Sequence, residues 1–574
     1  MVILGLNTGH DASAAVLHDG ELIAYCKEER LTRKKQDAGR PLRQRCIDEV
    51  LRIAGLAADE LDAVCLDRGR YPADCFRKMD RPWLVWSRHL LGKSHRLLGQ
   101  MRRQRQLDEL MLLDVGCMRR YLGLSGDAEV LFANHHYAHV LGAFRYTTWE
   151  ADALYLAVDA GGDGVCHAAY GFDGRQLVCL YGGDEFILHQ SFDYAGSVGQ
   201  AYSYVTQALG FRANRHEGKI TGLAGFGRPL LGEEIRAAFE VKDDGSIRSR
   251  IASRSALHAL LSSAVTRLPR EDVAASIQYA TEEVTLAWIE ALRKRFPARY
   301  LGLSGGVFSN VRLNQRVAEL PGIEEVFVFP AMGDEGLSVG QALAAQVRTA
   351  GLGSVRRGRL AHVYLGAQHS GTALLAAAHQ RSLIVKEKAA PARTCAELLA
   401  DGNVGAIYSQ RMEMGPRALG ARSILASPAE RAINEQLNQR LDRTEFMPFA
   451  PYVLDEDAHR VFGINPSNKE ACRFMTMTTD VHRSYRDRIP AVVHVDGTAR
   501  PQIIERGTNP LYYDILSEYK ALSGLPCLIN TSFNAHEEPI INTPDEALTA
   551  LQEQRVDFLV TEGGFVSRTT LARM

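Results

Sequence analysis

At 574 residues the chain is too long for one ordinary domain, and two or three are expected. Its 67 basic and 68 acidic residues nearly cancel, so whole-chain charge gives no argument for a nucleic-acid or membrane-surface partner. Apolar content of 46% and charged content of 24% are those of a soluble globular protein.

The N-terminus opens with an apolar run, residues 2–6. A turn-like NTGHD follows, and then ASAAVLHDGELIAYC, a strand pair with a hairpin at His18-Asp19-Gly20. Residues 41–55 read as an amphipathic helix ending at a glycine. Residues 76–122, rich in Arg, Leu and Gln, read as a helical arm. AEVLFANHHYAHVLGAF is strand then helix, and DALYLAVDAGGDGVCHAAYGF is two strands about a glycine turn. Residues 268–296 predict a long helix. YLGLSGGVFSNVRLN and EEVFVFPAMGDEGLSVGQALAAQV each read as strand, glycine turn and helix. This recurrence predicts an α/β domain over 1–352. A Gly- and Arg-containing break at 349–360 is the expected linker. The second domain, 361–574, alternates strands and helices again, with VGAIYSQ, AVVHVDG, LPCLINTSFN and VDFLVTEGGFV among its elements.

No fixed-period repeat is visible. Ten single cysteines without a C-x-x-C pair favour reduced thiols in the cytosol. No leader pattern and no run of about 18 apolar residues appears, so a cytoplasmic location with no membrane span is expected.

The densest chemistry is NHHYAHV. On a helix His135 and His139 are i and i+4 and share a face, while His136 points roughly 100° away. Asp159 and Asp334 each end an apolar strand. Two imidazoles and two carboxylates suit iron(II), manganese or zinc; the alternative is a pair of histidines satisfied by hydrogen bonds. His10-Asp11 sits in the first glycine turn, either as an acid/base pair or as a self-capping turn. The turns GLNTGHDAS, DAGGDG and SGGVFSN put backbone N–H groups where phosphate could approach, and each could equally be a purely structural turn. Arg411, Arg417 and Arg422 surround a Gly-Pro turn, with Arg443 and Arg500 farther on and Asn530, Ser532 and Asn534 on a strand–loop. Converging guanidinium groups would bind a phosphate or carbamoyl-type anion; a solvated arginine face is the other reading.

Ten motifs in order carry a resemblance: HDASAAV, NHHYAHV, VDAGGDG, HEGKITGLAGFG, LSGGVFSNVRLN, GDEGLSVG, MGPRALGARSILA, MPFAPYVL, HVDGTAR and NTSFNAHEEPI. With them the sequence resembles the NodU/CmcH-type O-carbamoyltransferases over nearly its whole length. The resemblance implies an ASKHA-type (actin/sugar-kinase/Hsp-seventy-like) N-terminal module and a YrdC-like C-terminal domain. It implies that the C-terminal site joins carbamoyl phosphate to Mg-ATP as carbamoyl adenylate. The N-terminal site would then move the carbamoyl group to a small-molecule hydroxyl, as in antibiotic biosynthesis, with iron(II) first and manganese or zinc next as its metal. Carried over by position, His135, His139, Asp159 and Asp334 are the metal ligands, and His10, with Asp11, takes the acceptor proton. Gly161, Gly162, Glu217, Gly218, Lys219, Gly305, Gly306 and Asn310 form the N-terminal nucleotide site. Arg417, Arg422, Arg443, Arg500, Asn530 and Ser532 form the carbamoyl phosphate and ATP site. One departure stands out: Met447 replaces the basic residue that many relatives place before PFAP. Homodimers occur in the family. Two rival readings remain: tRNA modification of the threonylcarbamoyladenosine type, against which the neutral charge argues, and a non-catalytic ATP-binding assembly protein.

Overall fold

The computed structural model describes residues 1–67, 70–76, 113–183, 196–251, 253–388, 390–444 and 446–571. Of the expected helical arm, residues 77–112 lie outside the described residues. Its C-terminal end is the helix Val115–Leu122, capped by the Asp114 side chain and closed by Gly123 at positive φ.

Two five-stranded sheets build the first region. The first runs in the order Glu21–Lys27, Ser13–His18, Val2–Asn7, Ala63–Leu66, Glu129–Phe132. Its first three strands are an antiparallel meander, and the last two add in parallel. The hairpin turn falls at Asp19-Gly20, both at positive φ, as the Asp-Gly pair dictates. The second sheet runs Leu177–Tyr181, Val165–Phe172, Ala153–Gly162, Tyr300–Ser304, Glu325–Val328. Its pairing directions are the same, a meander followed by two parallel additions. The two halves therefore repeat one topology, the twin-sheet arrangement of the ASKHA fold. The repeat leaves no period in the sequence because the connections differ in length. The expected long helix is Arg270–Arg295, and the amphipathic helix starts later than 41, at Arg45–Ala54, with Gly55 as its left-handed cap.

In each half the fifth strand leads into a helix. Those helices, His135–Arg145 and Leu337–Ala350, pack on each other. They approach closely at Gly340, where an added Cβ would lie 1.9 Å from the Ala138 carbonyl oxygen. Gly142 likewise leaves room for the Phe329 ring.

The second region holds a mixed eight-stranded sheet. Its order is Ile384–Glu387, Gly564–Ser567, Phe558–Thr561, Gly405–Tyr408, Arg422–Ala426, Cys527–Ser532, Ala450–Leu454, Gln502–Ile504. AVVHVDG departs from expectation: it forms the 3-10 turn Pro490–Val492 and then a bend held by Asp496, which accepts from the Thr498 backbone N–H and hydroxyl. A valine-rich stretch interrupted by Asp-Gly turns before it can pair.

The break at 349–360 is pinned to the first region. The Arg357 guanidinium lies over Phe144 and Phe172, 4.5 and 4.6 Å from their centroids, and donates to the Tyr155 hydroxyl at 3.2 Å. Backbone acceptors tie the regions together. Arg33 donates to the carbonyls of Pro539 and Ile540, Arg411 to that of Ile23, and Asn314 to that of Thr476.

Gly340→Ala tests the helix crossing. It is expected to lower stability by about 1–3 kcal/mol through overpacking, seen as a lower denaturant midpoint at constant slope. An unchanged midpoint would show that the helices do not meet this closely.

Candidate functional site

The first strand of each half ends at the cleft between the sheets, and so does the turn after each fifth strand. From the first half come His10, just past Asn7, and His135 and His139 on the helix His135–Arg145. From the second come Asp159, on the strand Ala153–Gly162, and Asp334, which begins the 3-10 turn Asp334–Gly336. The topological repeat thus delivers nitrogen ligands from one half and carboxylates from the other.

His135 Nε2 lies 3.5 Å from Asp159 Oδ2 and 3.7 Å from Asp334 Oδ1; His139 Nε2 lies 3.4 and 3.5 Å from the same two oxygens. All four ligand atoms fall within 4.8 Å of one another. Both Nε2 atoms and Asp159 Oδ2 are buried without a hydrogen-bond partner, a costly state unless something else satisfies them. Ligand atoms about 2.0–2.2 Å from a shared divalent ion stand roughly 3.0–3.5 Å apart, close to the spacing here. The chemistry of the set and its orphaned atoms fit a divalent cation.

The local fold makes this placement specific. Asn134 caps the histidine helix through the Tyr137 N–H, and Asp163 accepts from the His135 N–H at 2.6 Å. Gly162 gives His135 its space, since a Cβ there would sit 2.2 Å from His135 Cδ2. Burial lowers the proton affinity of His139, but Asp159 and Asp334 outweigh it and hold the imidazole up at about 9. Burial raises the Asp159 carboxyl, and the two histidines draw it well below the usual range. His136 is fully buried, its ring 5.0 Å from that of His135, and it is packed in the core beside the pair.

His10 bridges two carboxylates, with Nε2 3.1 Å from Asp334 Oδ2 and Nδ1 3.3 Å from Asp11 Oδ2. Its side chain is 65% exposed and lines a 400 Å³ cavity with Asp159, Asp334, Glu217, Gly218, Gly306 and Asn310. Asp334 first, then Asp11, raises the imidazole to about 10. Burial pushes the Asp11 carboxyl up, and Lys27, 3.2 Å away, draws it lower still. Asn7 fixes this turn by donating to the carbonyls of His10, Asp11 and Asp334.

A second cavity of 280 Å³ is lined by Arg417, Arg443, Arg500, Asn530, Ser532, Lys219 and Met447. Lys35, Arg215, Pro416, Arg417, Ser532 and Asn534 line both cavities, so the two adjoin. Asn530 Nδ2 donates to Ala418 and Gln502, which leaves its buried Oδ1 without a partner.

Several expected residues have other work. Arg422 lines neither cavity: it is fully buried, donates to the carbonyls of Ser409 and Ala421, and stacks 3.8 Å over Tyr408. Its strand partner is Tyr408, so its side chain lies over that ring and away from both cavities. Arg443 donates to Thr531, Ser532 and Asn534, and so holds the loop that lines the site. Lys219 reaches out of the N-terminal set to Thr444 at 2.9 Å and lines only the second cavity. Asn310 caps the helix Val311–Ala318 and pairs with Gln278. Gly161, Gly162 and Gly305 line neither cavity; Gly305, at φ 91°, lets its strand-end turn press on the Val158 backbone.

Sequence reading missed Asn7, Asp163, Lys35 and Arg215. Asn7 and Asp163 carry a faint signal, a polar residue closing an apolar strand and an acid in a Gly-Asp-Gly hairpin. Lys35 and Arg215 carry none, since only the fold brings them together. Among the described residues two other groups could hold a metal: His216 with His536 and Glu537, and Asp74 with Cys75 and Cys117. The first is already satisfied, because Glu537 accepts from His216, Arg212 and Arg215.

His135→Ala and His139→Ala are each expected to lose bound metal by elemental analysis, while His136→Ala keeps it and loses stability. Equal metal loss in all three would show that the wrong pair was chosen. Because His139 must shed a proton to bind, metal affinity is expected to fall as pH drops below about 9. A flat titration from pH 9 to 6 would contradict its role.

Family models for the carbamoyltransferase N-terminus and C-terminus match residues 2–343 and 396–568. Nodulation protein NolNO of Sinorhizobium fredii is 31% identical over 578 residues, covering 98% of this chain and 79% of its own. Nodulation protein NolO of Bradyrhizobium diazoefficiens is 34% identical over 450 residues, covering 76% of this chain and 78% of its own. Among solved structures, component A of (R)-2-hydroxyglutaryl-CoA dehydratase from Acidaminococcus fermentans is 15% identical, with a TM-score of 0.32, covering 61% of this chain and 99% of that one. The matched models and the relatives' coverage make the chain a member of the carbamoyltransferase family.

Proposed function

We propose that this carbamoyltransferase makes carbamoyl adenylate in the Arg417–Arg500 cavity of its YrdC-like C-terminal domain. Carbamoyl phosphate, ATP and one water give carbamoyl adenylate, pyrophosphate and phosphate. The transfer to an acceptor hydroxyl takes place in the His10 cavity. The observation that carries this reading is the wall shared by the two cavities, where Arg417, Ser532 and Asn534 face both. A hydrolysis-prone mixed anhydride gains from a second site that opens directly off the first.

In the arginine cavity, Arg417 and Arg500 bind the anionic substrates, with Lys35, Arg215 and Lys219 on the same wall. Lys219 supplies a cation beside Met447, the position where many relatives are basic. Asn530 Oδ1 accepts from the carbamoyl amide, and the Arg443-held loop sets Ser532 and Asn534. Beside the other cavity, whose wall includes Asp159 and Asp334, the residues His135, His139, Asp159 and Asp334 would hold a divalent cation. When bound, it would supply Lewis-acid polarisation of the carbamoyl oxygen and offset the charge of Asp334, lowering the proton affinity of His10. The acceptor oxygen attacks the carbamoyl carbon, the bond to the adenylate oxygen breaks, and AMP leaves. His10 takes the hydroxyl proton at Nε2 while Asp11 fixes the ring through Nδ1. A small-molecule acceptor fits this cavity volume better than a tRNA.

Enzyme incubated with carbamoyl phosphate and ATP, without acceptor, is expected to release pyrophosphate and form carbamoyl adenylate. Arg417→Ala and Arg500→Ala should each cut this by about tenfold or more, the size of a lost charge-assisted hydrogen bond. His10→Ala should keep it. Absence of both products with iron, manganese and zinc alike would sink the proposal.

A further inference from the structure

The strand Glu21–Lys27 runs into a single helical turn, Glu28–Thr32, so that four consecutive charged residues are buried: Lys27, Glu28, Glu29 and Arg30. Burying a charge is costly unless it is paired. Three of the four leave no buried polar atom without a hydrogen-bond partner. Lys27 bridges Asp11 at 3.2 Å and Glu29 at 3.1 Å. Glu28 accepts from the Cys46 N–H and Glu29 from the Gln36 N–H. Arg30 is different. It is 3% exposed, and its one hydrogen bond is from Nη2 to the Gly415 carbonyl at 3.2 Å. Its Nε stands 3.6 Å from Glu29 Oε1, too far for a hydrogen bond. Nε and Nη1 are both buried without a partner, and the residue lines the 400 Å³ cavity that holds His10 and Asp334.

We propose that Arg30 is an oxyanion-binding residue of the transfer cavity, whose free guanidinium donors take either the nucleotide phosphate or an anionic group on the acceptor. The proposal rests on the two-cavity function above. A phosphate or carboxylate oxygen is the acceptor a desolvated guanidinium demands. Glu29 pairs with the Arg30 charge at 3.6 Å but leaves the Nε and Nη1 donors without a hydrogen-bond partner. Lys35 and Arg417 line the same cavity and add to its attraction for an anion. Arg30 is also coupled to the reacting end. Polar contacts run from Arg30 through Glu29, Lys27, Asp11 and His10 to Asp334, none longer than 3.6 Å. An anion held by Arg30 therefore docks on the wall that carries the proton acceptor. Through Gly415 the same guanidinium touches the loop that carries Arg417 into both cavities.

The test compares Arg30→Gln and Arg30→Lys with the parent, in metal-loaded full-length protein carrying Arg500→Gln to weaken anion binding in the other cavity. Calorimetry measures two probe pairs, AMP against adenosine and glycerate against glycerol. The expected result is that Arg30→Gln loses about tenfold or more of the affinity for one anionic probe, the size of a lost charge-assisted hydrogen bond. Its neutral twin should be unaffected, and Arg30→Lys should fall between. Loss confined to AMP assigns the donors to the nucleotide phosphate; loss confined to glycerate assigns them to an acceptor anion. Unchanged preference for both anions, or equal loss with the neutral probes, overturns the proposal. Pyrophosphate release by the unsubstituted enzyme tests the proposed function separately, so either can fail alone.

Discussion

Two imidazole nitrogens and two carboxylate oxygens stand 3.4–3.7 Å apart in the cleft between the twin sheets. Such a cluster is unfavourable without a shared partner, because its buried nitrogens and an oxygen go without hydrogen bonds. Much of the first region serves to hold it. Asn134 and Asp163 cap the histidine helix from two sides. Gly162 yields its side-chain volume to the His135 ring, and Gly340 lets the ligand-bearing helix and the helix behind Asp334 approach backbone to backbone. Asn7 ties the first strand end to the Asp334 turn. A closely packed interior transmits small shifts, so each of these contacts bears on the ligand spacing.

The second constraint is the seam between the regions. The loop at Gly415 and the loop at Pro539 and Ile540 accept hydrogen bonds from Arg30 and Arg33 of the first region. Glu537 gathers Arg212, Arg215 and His216 at the same seam. Burial raises the Glu537 carboxyl, but His216 and Arg215 outweigh it and draw it down to about 2, so it is ionised and holds Arg212 and Arg215 near neutral pH. With the connecting segment clamped by Arg357, the two cavities are held against each other and their common wall is a fixed feature. Under the proposed function, this docking would give an intermediate a short path between the sites.

The readable parts of this protein are those where a local rule acts alone. Asp19-Gly20 specifies its hairpin, Gly55 its helix end, and His135 and His139 one face of a helix, each from immediate neighbours. The metal-type cluster was legible because strand-end acids and an i, i+4 histidine pair are both local signals. The errors come where tertiary packing decides. Arg422 and Arg417 stand in the same arginine-rich turn, yet strand register buries one over Tyr408 and leaves the other in the cavities. Asn310 lines the larger cavity as expected, but its side chain also caps a helix, which spacing alone does not reveal. Gly162 and Gly305 make space for His135 and for the Val158 backbone, while Gly218 and Gly306 line the larger cavity. The twin topology was invisible because it lives in strand order, and Arg30 because a run of charges ordinarily faces solvent.

Anomalous diffraction from metal-loaded crystals, recorded at the iron, manganese and zinc edges, tests the central claim most directly. The account predicts one dominant peak bonded to His135, His139, Asp159 and Asp334. A cleft without a peak, with the metal instead at His216, His536 and Glu537, would contradict it.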